Sequence, residues 1–401
     1  MLMCSASRNK RGQPRRKDAP GLLRTERQEF INLECMHPIW SHECYGPPVD
    51  IPDSVLAADK ALYSLLQRVA FSRHLNPSNG REAREAFEAG SHTPPFSYVP
   101  LEDADGMRRA LDEAEPRRDH PAGRLVGQCV DGVRRLVDAL DHRTPEAFDA
   151  MNKAAGWYPS AELLAQRFVP ARPTEPLTVR AEQLIEYFEC AFISRAMHDW
   201  TIERDEVMSA RVLVDSAKRV VRVNPKAHFR DSDLVRLVVH EIDVHARRAT
   251  NGEAQPLRCF VTGLPGSLAT EEGLAMLAEE TSGTASPGVL ARQSHVVWAI
   301  DQARNLGFRE LYEALCERVS KGLAWGICQR VKRGLADPGR PGVYAKDSVY
   351  LAGRMSVKHW LASGGDIAHL YVGKVGIDDP VGEWLDQGWV TQQPVPALWT
   401  T

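Results

Sequence analysis

The segment His240-Glu241-Ile242-Asp243-Val244-His245 sets two imidazoles close together, with a carboxylate directly after the first. Two imidazoles can hold a zinc ion, and an adjacent carboxylate can act as base toward a water, which is how zinc hydrolases work. Those enzymes use His-Glu-x-x-His, where residues four apart share one face of an α-helix. Here the separation is five, which in a regular helix turns the second ring about 140° from the first. The spacing therefore either breaks the site or demands a π-bulge, a local widening found at functional sites. A third ligand must come from a separate element. Thr270-Glu271-Glu272-Gly273-Leu274-Ala275 offers one at the opening of the next helical pattern. Without a metal, the same two acids are what a helix dipole favours in a first turn, and Thr270 is a suitable N-cap.

Those residues need a folded scaffold, and the composition supplies one. The chain has 401 residues, 43% hydrophobic and 26% charged, which excludes a disordered protein, a collagen-like fibre and a disulfide-stapled mini-domain. Fifty Lys+Arg against 53 Asp+Glu give a net charge of -3, too balanced for a dedicated nucleic-acid binder. No apolar run approaches the roughly 20 residues of a membrane helix, so no membrane partner is expected. Eight cysteines without a Cys-x-x-Cys pair read as reduced thiols in a cytoplasmic protein. Cys35-x-His37 and His42-x-Cys44 are metal-capable but fit no zinc-finger spacing, and are read as incidental.

The elements follow from periodicity. Residues 1–28 are basic and aperiodic and read as a disordered arm; 29–390 read as one domain, helical to about 205 and catalytic from about 206 to 380, with 391–401 a tail. Helices are expected from Asp53 or Ser54 and over 124–141 and 178–200, with a polar stretch at 74–105. Arg211-Val212-Leu213-Val214 and Arg219-Val220-Val221-Arg222-Val223 flank a polar turn and predict a β-hairpin. An apolar helix over roughly 232–249 carries the two histidines. Further helices are expected at 271–281, 289–305, 308–320, 322–333 and 347–363. The fold class is α+β, mainly α-helical, with a small antiparallel sheet beside the histidine helix. An exposed strand there could hold an extended peptide by strand addition.

Several motifs in one order resemble the family named for its QEGLA motif. They are His240-Glu241-Ile242-x-Val244-His245, Asn251-Gly252, Gln255-Pro256 and Thr270-Glu271-Glu272-Gly273-Leu274-Ala275. Arg330-x-x-Arg333-Gly334, Lys346-Asp347-x-x-Tyr350-Leu351-x-Gly353 and Tyr371-x-Gly373-Lys374-Val375 continue the likeness, and Asn76-Pro77-x-Asn79 with Phe96-x-Tyr98-x-Pro100 precede it. The family includes bacterial proteins labelled flavohaemoglobin-expression modulators and the eukaryotic microtubule-associated tyrosine carboxypeptidases. Trp157-Tyr158-Pro159 departs from a frequent Tyr-Gly pair, which touches the substrate pocket but not the metal.

The resemblance implies a gluzincin-like fold binding one Zn2+ per chain through His240, His245 and Glu272, with Glu241 as general base and a fourth position left for water. Glu271 stands where the family's Gln does and is the alternative third ligand. Tyr350 is the candidate donor to the oxyanion, or else a core aromatic. A carboxypeptidase binds its substrate's C-terminal carboxylate, for which Arg330, Arg333 and Lys346 are candidates; otherwise they are a solvated helix face. The expected function is a zinc metallopeptidase acting as a carboxypeptidase on a peptide or protein C-terminus. An endo- or aminopeptidase with the same site, a non-catalytic regulator, and iron or manganese in place of zinc are the alternatives. The oligomeric state stays open.

Overall fold

A computed structural model describes residues 51–400, apart from 172, 173, 207 and 209. The basic arm and the Cys35–Cys44 cluster lie outside the described residues. Helix dominates, as the periodicity predicts. Asp53–Arg68 buries Val55, Leu62 and Leu65, and Pro121–His142 buries Val126, Val130, Val137 and Leu140. Pro121 sits in the first turn of its helix, where a missing N–H costs nothing.

Several short helices escape the sequence reading, the longest being Gly80–Glu88, Ala104–Glu113 and Pro145–Ala154. Each buries only two or three side chains, Ala83 and Phe87 in the first, too few to make a visible stripe. The helix expected over 178–200 is shorter, Ala181–Ser194. No helix among the described residues is long and apolar enough to cross a membrane.

The strands are β1 (Val179–Arg180), β2 (Thr201–Arg204), β3 (Val212–Asp215), β4 (Val220–Val223) and β5 (His228–Phe229). β3 and β4 form the expected antiparallel hairpin, in register from Val212↔Val223 to Asp215↔Val220. β2 lies parallel to β4 on its other side, so this sheet is mixed rather than purely antiparallel. The order β2-β4-β3 follows burial: β4 hides Val220, Val221 and Val223 and takes the centre, whereas β2 is mostly exposed. β1 pairs antiparallel with β5.

The histidine helix lies between two cores. Val238, Ile242 and Ala246 pack with Leu184 and Phe188 of Ala181–Ser194 and with Val221 and Val223 of β4. Val239 and Val244 face the other way, joining Leu274, Ala275 and Ala278 of the glutamate helix, Ser267–Thr281. Against that helix runs the tyrosine helix, Val349–Ala362. The two cross at glycines. A Cβ at Gly273 would overlap the backbone of Gly353, and one at Gly353 would overlap the carbonyl of Ala269. This close approach sets Glu272 and Tyr350, one residue before Gly273 and three before Gly353, in the same neighbourhood.

Candidate metal centre and cleft

The helix carrying the histidines is not regular. Asp231–Leu237 is α-helical, Val238–Ala246 is a π-helix, and Arg247–Glu253 is α-helical again. In a π-helix residues five apart are one turn apart, so the widened turn returns His245 to the side of His240. The ring centroids stand 4.9 Å apart, and the side chains are only 14% and 12% exposed. The distortion that the five-residue spacing demands is present.

From the glutamate helix, Glu272 reaches between the two rings. Its Oε2 lies 3.8 Å from Nε2 of His240 and 3.7 Å from Nε2 of His245. That oxygen is buried with no hydrogen-bond partner, one of two such side-chain atoms among the described residues. A buried carboxylate oxygen without a donor is costly, and a cation among the three side chains removes the cost. One ligand atom from each of His240, His245 and Glu272 lies within 4.8 Å of the others. Two imidazole nitrogens and one carboxylate oxygen are a donor set that suits zinc.

The far side of each ring is also bound. His240 Nδ1 is 2.8 Å from Oε1 of Glu279, and His245 Nδ1 is 2.7 Å from Oε1 of Glu271. A carboxylate at Nδ1 holds the hydrogen there and leaves Nε2 as the ligand atom. Glu279 is steadied by Arg236 at 3.1 Å, and Glu271 by Lys374 at 2.6 Å and Arg248 at 3.2 Å. Burial works against a proton on His240, but the Glu279 hydrogen bond and the charges of Glu241 and Glu272 outweigh it and push its pKa up to about 9. The surroundings are thus arranged for positive charge. Glu271 is occupied by His245 and two cations, so Glu272, not Glu271, stands among the three metal-capable groups.

Thr270 is not the N-cap expected of it. The helix begins earlier, at Ser267 after Gly266 in the left-handed region, and the Thr270 hydroxyl accepts from the backbone N–H of Ile377 at 3.0 Å. Glu271 and Glu272 are therefore buried second-turn residues rather than first-turn acids.

Tyr350 lies near the centre. The charge of Glu272, then burial, then the charges of Asp347 and Glu241 raise its pKa well above the usual phenol value, with Arg330 opposing. It therefore remains a hydroxyl donor at neutral pH. Glu241 is half-buried and shares electrostatic contact with His240 and Tyr350. The three cationic candidates separate. Arg330 Nε donates to Asp347 Oδ2 at 2.6 Å and feels the charge of Glu272. Arg333 donates to Asp347 Oδ1 at 3.0 Å and stacks 5.0 Å from the Tyr344 ring centre. Lys346 lines an open cavity of about 1630 Å³ with Leu62, Val133, Trp157 and Met355, whose lining includes none of His240, His245 or Glu272.

A profile of the family described as microtubule-associated tyrosine carboxypeptidase matches residues 85–399. The chain belongs to this family. Microtubule-associated tyrosine carboxypeptidase 1 of Mus musculus and that of Rattus norvegicus are each 30% identical to it over 168 residues, 39% of this chain and 34% of theirs. The chain thus spans about a third of the length of these curated relatives.

Arg248 and the Asn251-Gly252, Gln255-Pro256 and Tyr371–Val375 segments, which carry no obvious chemistry, converge behind His245. Arg248 donates to the carbonyls of Leu370 and Val375 at 2.7 and 2.6 Å, Asn251 to that of Tyr371 at 2.6 Å, and Gln255 to that of Val372 at 2.8 Å. They hold the 370–375 segment so that Lys374 meets Glu271. The segment read as a tail joins in: Thr391 and Pro394 carbonyls accept from Gln255 and Asn251 at 2.9 Å each. Sequence reasoning missed Glu279, Arg236, Arg248 and Lys374 as supports. Two were visible as spacings: Glu279 is seven residues after Glu272, two turns along one face, and Arg236 is four before His240.

Proposed function

We propose that this chain is a zinc-dependent carboxypeptidase that removes the last residue of a peptide or protein, with His240, His245 and Glu272 holding the metal. The observation that carries the reading is the buried, partnerless Oε2 of Glu272 facing two imidazole nitrogens whose rings are fixed by carboxylates. Bound there, zinc supplies a Lewis acid that polarises the scissile carbonyl and brings the pKa of a water toward roughly 7. The names of the family and its relatives suggest tyrosine as the residue removed.

Glu241 takes the proton of the attacking water and delivers it to the leaving amine, so one carboxylate serves as base and then as acid. Tyr350, held neutral beside Glu272 and Glu241, donates its hydroxyl hydrogen to the oxyanion that forms on the substrate carbonyl. Among the described residues β3 has a strand neighbour on one side only, and it packs on the π-helix, so its free edge can align an extended substrate chain. Arg330, anchored through Nε by Asp347, keeps its terminal nitrogens for the substrate's carboxylate.

Elemental mass spectrometry of the purified chain, with His240→Ala and Glu272→Ala beside it, tests the metal. One zinc per chain, lost in both variants, is expected. Glu241→Gln is expected to keep the zinc and lose turnover of a tyrosine-terminated peptide. A chain that takes up no metal when zinc is supplied would end this reading. Cleavage of C-terminally amidated peptides as readily as free acids would replace the exopeptidase direction with an endopeptidase one.

A further inference from the structure

A free C-terminus brings two carboxylate oxygens into the cleft one residue beyond the scissile carbonyl, about 3.8 Å of chain. Planar donors without partners are what would receive it. Arg330 has spent its Nε on Asp347, and its side chain is 40% exposed. Arg333 shares that carboxylate and is 13% exposed, closed off beneath its neighbours. Asp347 therefore already serves two guanidiniums.

A third guanidinium stands beside them, from a helix that the sequence reading expected over 289–305 but gave no role at the site. Arg292 lies in the first turn of the helix Val289–Ala303, which packs on the Lys346–Ser348 turn, on the tyrosine helix and on Lys321–Lys332. Leu290, packed against Leu163, Val297 and Leu351, pins that turn. Arg292 makes no hydrogen bond or ion pair through its side chain among the described residues. The residue as a whole is exposed, yet burial lowers the pKa of its guanidinium, which is partly desolvated. Its principal electrostatic neighbours are Arg330, Asp347, Arg211 and Tyr350. Arg211, the residue before β3, bonds Asp233 at 3.3 Å. Glu272 is a principal neighbour of Tyr350 and Arg330. Tyr350 and Arg330 are thus electrostatic neighbours of both Glu272 and Arg292. Arg292 and Arg330 both feel Asp347, which is already bonded by Arg330 and Arg333, and of these three guanidiniums Arg292 alone has no hydrogen bond or ion pair through its side chain among the described residues, so it is the one left to receive an anion.

We propose that Arg292, beside the free nitrogens of Arg330, seats the α-carboxylate of the substrate's last residue and thereby sets the preference for a free C-terminus. This rests on the carboxypeptidase reading above. Asp347 is the positioning residue: it fixes Arg330 so that its terminal nitrogens face the seat, while the packed helix presents Arg292 with nothing to release before substrate binds.

The test compares one hexapeptide ending in tyrosine as free acid and as C-terminal amide. Binding is measured by calorimetry on full-length, zinc-loaded Glu241→Gln protein and on the same protein after chelation, with and without Arg292→Ala, Arg292→Gln or Arg292→Lys. Turnover is measured with Glu241 intact. Arg292→Ala and Arg292→Gln are expected to cut the acid-over-amide preference about 10- to 100-fold, with or without metal, and to leave amide binding unchanged. Arg292→Lys recovers part of it, because the charge remains but the planar fork does not. An unchanged preference in Arg292→Ala, equal losses for acid and amide, or a parent that does not distinguish the two would each overturn the seat. A parent that shows the Arg292-dependent preference yet cleaves neither peptide would overturn the peptidase reading and leave the seat standing.

Discussion

Oε1 of Glu271 lies 2.7 Å from Nδ1 of His245, and the same carboxylate meets Lys374 at 2.6 Å and Arg248 at 3.2 Å. Burial alone would push Glu271 up, but Lys374, His245 and Arg248 hold it well below the usual carboxylate range, so it stays anionic. An anion at Nδ1 makes Nε2 the more basic ligand atom, and such supports govern metal affinity by about 10- to 100-fold. Glu271→Gln should lose zinc affinity in that range, read by competition with a colorimetric chelator. Glu279→Gln should act likewise through His240. Affinity equal to wild type in both would mean that the carboxylates merely fill space.

What was legible in the sequence, and what was not, divides along the range of the interactions. The π-turn was legible because five-residue spacing admits one geometry that joins the rings, and Val238–Ala246 adopts it. The β3–β4 hairpin was legible because its pairing is local. Glu279 was legible only as a spacing from Glu272, and its role was not, since a late-helix glutamate next to Glu280 looks solvated until Arg236 and His240 are folded against it. Arg330 and Arg333 are three residues apart and reach the same Asp347; burial alone separates them, and burial is a property of the whole fold. Arg292 sits in no motif, and only the packing of Val289–Ala303 on the Lys346–Ser348 turn brings it into the neighbourhood of Asp347 and Arg330.

The crossing of the glutamate and tyrosine helices rests on Gly273 and Gly353. In an exposed helix Gly→Ala gains up to about 1 kcal/mol from propensity. Here the added methyl meets backbone, which cannot rotate away, and overpacking costs about 1–3 kcal/mol or more. Gly273→Ala should therefore lower the urea midpoint, despite the better helix former. A midpoint that rises would show that the helices can separate without loss.

Arg330, Arg333 and Lys346 should part company in kinetics. Arg330→Ala is expected to raise KM for a free-acid peptide by about tenfold or more, with the melting temperature little changed, since its side chain is 40% exposed and Arg333 still pairs with Asp347. Arg333→Ala removes a buried partner of Asp347 and should destabilise the fold by about 3 kcal/mol or more. Lys346→Ala, on the separate cavity, should alter neither. A KM response to Lys346→Ala would mean that substrate extends into that cavity.

Asp347 links these effects to pH. Burial would raise its pKa, but Arg333 and Arg330 hold it well below the usual value for an aspartate. The folded-state pKa is thus depressed, and its stabilising contribution is fully present above the unfolded value of about 3.9 and lost as pH falls below it. Asp347→Asn leaves Arg333 buried without a counter-charge, so the variant should be about 3–5 kcal/mol less stable at pH 7. Urea unfolding from pH 7 to pH 3 should show the gap between wild type and variant constant down to about pH 4 and narrowing beneath it. A gap that widened toward acid would mean that Asp347 is protonated at neutral pH, and that Arg330 takes its orientation from something else.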